Sequence, residues 1–181
     1  MRKMDLAVLL VLVASATAWW TRPPAPAPVV TATPAPFITQ SGRYQILAPD
    51  FFLAGVPIGS TEKAVESALG KPLRTDLSAE ETHTWFYQRD GQDLTITFLD
   101  GLVVAEGGVG RWAFGKVGQS KRTWFLESEQ AVRASFGQAI RSEKNILVYS
   151  AQPGELTFHL DQDRRVVQLW ITGQVKPLPR K

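Results

Sequence analysis

Apolar and polar residues alternate strictly over two short stretches of this chain. Leu94, Ile96 and Phe98 are interrupted by Thr95 and Thr97, and Leu156, Phe158 and Leu160 by Thr157 and His159. A period of two sorts residues onto opposite sides of a strand, so each stretch predicts a half-buried strand with a polar side. Asp100-Gly101 follows the first as a hairpin turn, and Leu102–Ala105 returns as the next strand. Asp161-Gln162-Asp163 stands at the same corner after the second stretch, and Val166-Val167 copies Val103-Val104. Tyr87, in the aromatic run Trp85-Phe86-Tyr87, precedes Leu94 by seven residues, and Tyr149 precedes Leu156 by the same interval. Aromatic runs of this kind favour a pleated surface.

A period of 3.6 appears just before each strand set. Ser60–Arg74 reads S-T-E-K-A-V-E-S-A-L-G-K-P-L-R, with Ala64, Val65, Ala68 and Leu69 on one predicted helical face. Ser60 or Thr61 caps its start, Glu62 sits in the positive first turn, Gly70 supplies a left-handed terminator and Pro72 forbids continuation. Ser128–Arg141 repeats the phrase: Glu62 and Glu129, Ala64 and Ala131, Val65 and Val132, Gly70 and Gly137, and Arg74 and Arg141 are identical at an offset of 67. The fold class expected is therefore α+β. It would contain two tandem repeats, each a short helix packed on a three- or four-stranded antiparallel sheet. One such unit is small for an independent core, so two sharing a core give the duplication a physical motive. Thr75–Thr84 reads as a polar excursion, with one helical turn at Ser78–Glu81.

Five segments follow from these patterns: a leader or anchor over 1–18, a proline-rich linker over 19–42, repeat units over 43–108 and 109–173, and a basic tail over 174–181. Arg2 and Lys3, the apolar run Leu6–Val13 and Ala16-Thr17-Ala18 have the layout of a cleavable signal peptide. The rival reading is a membrane tether through residues 6–20, whose 15 uncharged residues fall short of the ~20 of a full span. Either one places the body outside the cytoplasm. Thr21–Pro36 contains six prolines and predicts an extended spacer.

The chain has no cysteine, which excludes a lipobox, disulfides, thiolate metal sites and cysteine nucleophiles. Its formal charge is +3; removing Arg2, Lys3 and Asp5 with the leader leaves 18 basic and 16 acidic residues, a net of +2. That balance does not point to nucleic acid.

The phrase G-V-P-I-G-S-T-E-K-A-V-E-S-A-L-G-K-P, then W-F-Y, then L-T-I-T-F-L-D-G-L-V-V, resembles the SmpA/OmlA (BamE-like) family of bacterial envelope proteins. Tandem copies of a similar unit also make up the β-lactamase inhibitor proteins. The resemblance covers roughly Gly55–Ala105 and Ser128–Ile171. It implies an exported, non-catalytic module that binds protein.

Candidate chemistry is sparse. His83 falls in a stretch expected to be a solvated loop, and His159 on a strand's polar side; neither has ligand spacing to a second donor. Glu62 and Glu129 read as first-turn carboxylates rather than a catalytic pair, and Asp161 and Asp163 as turn residues rather than a calcium loop. No catalytic residue, metal or cofactor is expected.

Gly107–Leu126 stands out. It carries Arg111, Lys116, Lys121 and Arg122 and no acidic residue, interleaved with Trp112, Phe114, Trp124 and Phe125. About eight of these residues are inserted relative to the first unit. Arginine and aromatic side chains are the usual anchors of interfaces. Two outcomes are open: the crossover presents these residues to a partner, or it turns its aromatics inward to seal the two units. The binding residues expected are Arg111, Trp112, Phe114, Lys121, Arg122, Trp124 and Phe125, with Thr95, Thr97, Thr157, His159 and Trp170 from the sheet. The function expected is binding of a protein partner in the envelope or extracellular space. The alternatives are a secreted inhibitor of an extracellular hydrolase and an enzyme or small-ligand binder without a legible motif.

Overall fold

A computed structural model describes residues 37–179, apart from 80 and 118, and these fall within one unit, Pro34–Lys181. The expected leader and most of the expected linker lie outside the described residues.

Two capped helices, α1 (Glu62–Leu69) and α2 (Glu129–Phe136), start where the sequence pattern placed them. The Ala64 N–H donates to Thr61 Oγ1 at 3.3 Å, and the Ala131 N–H to Ser128 Oγ at 3.2 Å. Of the four apolar positions expected to face inward on α1, Val65 is buried and Leu69 half-buried, while Ala64 and Ala68 are exposed. Each helix ends at a glycine that is not left-handed helical: Gly70 has φ 82° and ψ −167°, Gly137 φ 79° and ψ −139°. That corner of φ/ψ space is essentially restricted to glycine.

Four strands follow each helix: β5 (Arg74–Ala79), β6 (Thr82–Arg89), β7 (Gln92–Leu99) and β8 (Leu102–Val109) after α1, and β10 (Arg141–Glu143), β11 (Ile146–Ser150), β12 (Gly154–Leu160) and β13 (Val166–Pro177) after α2. Both sets are antiparallel meanders, and they meet at β8 and β13 in the order β10-β11-β12-β13-β8-β7-β6-β5. The hairpins at Asp90-Gly91 and Asp100-Gly101 turn with positive φ at both residues, as a tight right-twisted hairpin demands. Thr75–Ala79, expected as an excursion with a helical turn, is strand β5, because it completes the ladder on β6. His83 accordingly stands on β6 rather than in a loop. It stacks on Phe98 at 4.9 Å between centroids and lies 3.2 Å from Glu62.

The expected segment boundaries shift at both ends. Phe37–Ser41, placed in the linker, forms β1 and pairs with β2 (Tyr44–Ala48). Gln174–Pro177, placed in the basic tail, extends β13 and pairs with β2. Nor do the chain's two halves stay apart. β3 (Phe51–Leu53) pairs with β4 (Val56–Pro57) on one side and with β9 (Phe114–Lys116), from beyond the midpoint, on the other.

The helices and the small β4-β3-β9 sheet share one side of the large sheet, and the core lies between. Leu94, Ile96, Phe98, Leu156, Phe158 and Ile171 supply its floor, all at most 1% exposed. Tyr87 donates its hydroxyl to the Gly70 carbonyl at 3.2 Å, tying α1 down, and burial pushes the pKa of that phenol up to about 12. Glu129 ties α2 down through Arg164, 2.8 Å away, and pairs with Arg133 at 2.8 Å within the helix itself. The hydrogen bond from Arg164 is the main reason its carboxyl sits below the ordinary range.

One polar group lies at the centre of this core. Glu106 on β8 is fully buried, flanked by Ile96 on β7 and Ile171 on β13. Its Oε2 accepts the Leu53 N–H at 2.8 Å, which links the small sheet to the large one, and its Oε1 has no partner among the described residues. Burial drives its pKa well up, opposed only in part by the Leu53 N–H, so the neutral acid is the favoured form.

Gly137→Val should lower stability by about 1–3 kcal/mol through backbone strain alone, since nothing lies within 4 Å of the added Cβ; an unchanged melting temperature would contradict the terminator assignment. The folded state holds the Glu106 proton to higher pH than the unfolded chain does. Stability should therefore fall as pH rises from the ordinary carboxylate range toward the folded pKa, by at most about 1.4 kcal/mol per pH unit. Urea titrations across pH should show that slope in the native protein and its loss in Glu106→Gln.

Candidate binding surface

The register sorts every residue of the central strands onto a side, since directly opposed residues share a face. One row runs Phe86–Thr95–Gly107–Trp170–Thr157–Val148 across β6, β7, β8, β13, β12 and β11. Flanking rows hold Thr84–Thr97–Ala105–Thr172 and Val109–Gln168–His159. All of these project away from the helices. Thr95, Thr97, Thr157, His159 and Trp170 are therefore brought together on one outer face, each half-buried.

The centre of that face is built by a glycine. Trp170 lies flat over Gly107, where a Cβ would come within 2.5 Å of the indole ring. The ring is thus held against the backbone with its other side outward. At one end of the row Arg74 stacks over Phe86, 4.1 Å from guanidinium to centroid. Thr84 and Thr97 bring their hydroxyls within 3.4 Å of one another. Burial lowers the pKa of His159, favouring a neutral imidazole here. Phe86, Thr172, Gln168 and Arg74 were missed by sequence reasoning; alternation through the strand Thr82–Arg89 was the signal that could have found the first.

The crossover turns inward, which corrects the expectation that its aromatics serve as exposed anchors. Phe114 and Trp124 are 4% and 5% exposed. Phe114 stacks on Phe51 at 5.3 Å, and Trp124 packs on Phe136 at 5.2 Å and Phe158 at 5.9 Å. The physical reason is supply: α2, β11 and β12 present Phe136, Tyr149 and Phe158 as an open aromatic cluster, and the inserted residues close it. Phe114 and Arg122 exchange backbone hydrogen bonds, which hold the two positions side by side. Trp112 is half-buried, donating its indole N–H to the Asp93 carbonyl at 2.8 Å, and Phe125 is half-buried too. Three of the crossover's cations stay outside. Arg111 and Lys121 are exposed, and Arg122 stacks over the Trp124 ring, 4.0 Å from its centroid, while pairing with Glu127 at 3.2 Å.

No family model matches the chain, and no curated protein matches it. The resemblance to the SmpA/OmlA phrase is thus one of short motifs. Among solved structures, the chain shares a fold with an extracellular SCP-domain protein of Bacillus anthracis, at 14% identity and a TM-score of 0.51. The match covers 68% of this chain and 50% of that one, so the chain spans about half that protein's length. A DUF4309-family protein of Bacillus subtilis is similar at 16% identity and a TM-score of 0.46, over 64% of this chain and 79% of that one. A candidate β-lactamase inhibitor protein of Streptococcus mutans gives 10% identity and 0.30, over 67% and 84%. At those two scores no common architecture is established.

Trp124→Ala should cost about 3–5 kcal/mol, the range for truncating a buried aromatic, and Arg122→Ala less than about 1 kcal/mol. Chemical denaturation of the two variants measures the difference; equal and small effects would mean that the crossover is an exposed surface after all.

Proposed function

We propose that this is an exported, non-catalytic protein that binds another protein through the outer face of its sheet, in the envelope or extracellular space. The observation that carries the reading is the placement of Trp170. Its ring is immobilised on Gly107 at the middle of a row whose other members include Phe86, Thr95 and Thr157. A rigid aromatic surrounded by short hydroxyl side chains binds with little loss of conformational freedom. The helices and the small sheet occupy the opposite side, and among the described residues Phe86, Thr95, Trp170 and Thr157 stay half-buried on this face, while Val148 at the end of the row is buried. The leader-like start of the chain supports export. The recurrence of a capped helix followed by four antiparallel strands supports descent of both halves from one SmpA/OmlA-like unit.

The test compares outer-face and crossover variants on the same captured partner. Full-length protein is immobilised, secreted and envelope fractions are passed over it, and the retained protein is identified and titrated. Trp170→Ala should weaken binding by about thirtyfold, corresponding to a loss of about 2 kcal/mol at an interface anchor. Thr157→Arg should weaken it comparably, while Arg111→Ala with Lys121→Ala leaves it unchanged. Binding lost in the crossover variant and kept in the outer-face variants would move the site to the crossover cations.

A further inference from the structure

The large sheet ends on one side at β5, and no strand pairs with that strand's outer edge among the described residues. All six residues of β5 are exposed. Leu73, just before it, and Leu77 within it are 74% and 82% exposed, the highest values of any large apolar side chain described. Open edges are usually blunted by lysine, proline or inward charges. This edge instead carries two leucines around Arg74-Thr75-Asp76, a sequence that is its own antiparallel complement. When L-R-T-D-L is laid antiparallel on a second copy with Thr75 opposite Thr75, Leu73 meets Leu77 and Arg74 meets Asp76, each twice.

We propose that β5 is a homodimerisation edge, pairing antiparallel with β5 of a second copy about a two-fold axis at Thr75. The contact is isologous, so it closes at two subunits. The alternation of the strand puts Leu73, Thr75 and Leu77 on one side of the joined sheet and the charges on the other. The leucines on the first side cover one another across the seam. On the second, Arg74 and Asp76, with side chains 62% and 52% exposed and 3.1 Å apart within one copy, each gain an opposite charge across it. Backbone bonding and leucine burial supply the affinity, and the charges set the register.

The opposite edge shows why the complement matters. There β10 carries Arg141 and Glu143 in the same order, 3.5 Å apart, and Ile140 precedes them as Leu73 precedes Arg74. The equivalent alignment about Ser142 sets Ile140 against Lys144, a cation at the seam. The β10 edge has the charge pattern without the apolar one.

Sedimentation equilibrium of the full chain tests the proposal. The wild type should show a monomer–dimer equilibrium. Arg74→Asp and Asp76→Arg, each of which opposes like charges twice, should raise the dissociation constant about tenfold or more. The double variant should regain the dimer. Mixing the two single variants should produce heterodimers, since a strand with two aspartates then faces a strand with two arginines. That mixing arm also shows that both singles are folded. A wild type that stays monomeric at every concentration overturns the proposal. So does a dimer that neither reversal weakens, or singles that fail to combine, for then the contact lies elsewhere.

Discussion

Everything in this molecule passes through the ladder between β8 and β13. It is where the two meanders join, and three consecutive residues of β8 serve three different purposes along it. Gly107 lets Trp170 lie against the outer side. Gly108 does the same on the inner side, where a Cβ would stand 2.9 Å from both Leu53 and Trp112. Glu106 reaches through the core to the Leu53 N–H. The sheet is thinned at its midline by two missing side chains so that large groups can close on it from both directions.

Glu106 carries a physical conflict. A carboxyl with one oxygen unpartnered in an apolar core is a costly way to hold β3, and an aliphatic residue would pack at lower cost. What the acid provides is direction: a single acceptor that the Leu53 N–H must find, setting β3 in one position over the sheet. Burial disfavours the charged form there and raises the pKa of the carboxyl. Elsewhere the ionic groups behave ordinarily. At the margin of the core Arg164 binds Glu129, and with it α2, to the turn before β13, while Arg133 braces Glu129 from within the helix, where water still reaches them.

The two sides of the sheet therefore divide the work. The inner side is committed to packing: its aromatic cluster of Phe51, Phe114, Trp124, Phe136, Tyr149 and Phe158 joins residues from both halves of the chain. The outer side carries threonines, a pinned indole and a stacked arginine among Phe86, Val109, Gln168 and His159, which is a composition suited to recognition. The edges are a third surface, where unpaired backbone and the side chains beside it act together.

Local patterns in the sequence determined the helices, their caps, the hairpin at Asp100-Gly101 and the alternating strands, because each is set by residues within a few positions of one another. The glycine terminators were legible for the same reason, although their φ/ψ region was not. Alternation likewise assigned Thr95, Thr97, Thr157 and His159 their side of the sheet. The tertiary structure decided what depends on distant partners. Thr75–Ala79 has no strand signal of its own and becomes β5 by pairing with β6. Gln174–Pro177 is ordered by β2, from near the other end of the described chain. Trp124 and Phe114 carry an interface-like composition whether they face outward or inward, and only the unfilled aromatic cluster across the chain's midpoint draws them in. Hydrophobic burial is non-directional, so a sequence can announce that an aromatic needs cover without saying whether a partner or its own chain provides it.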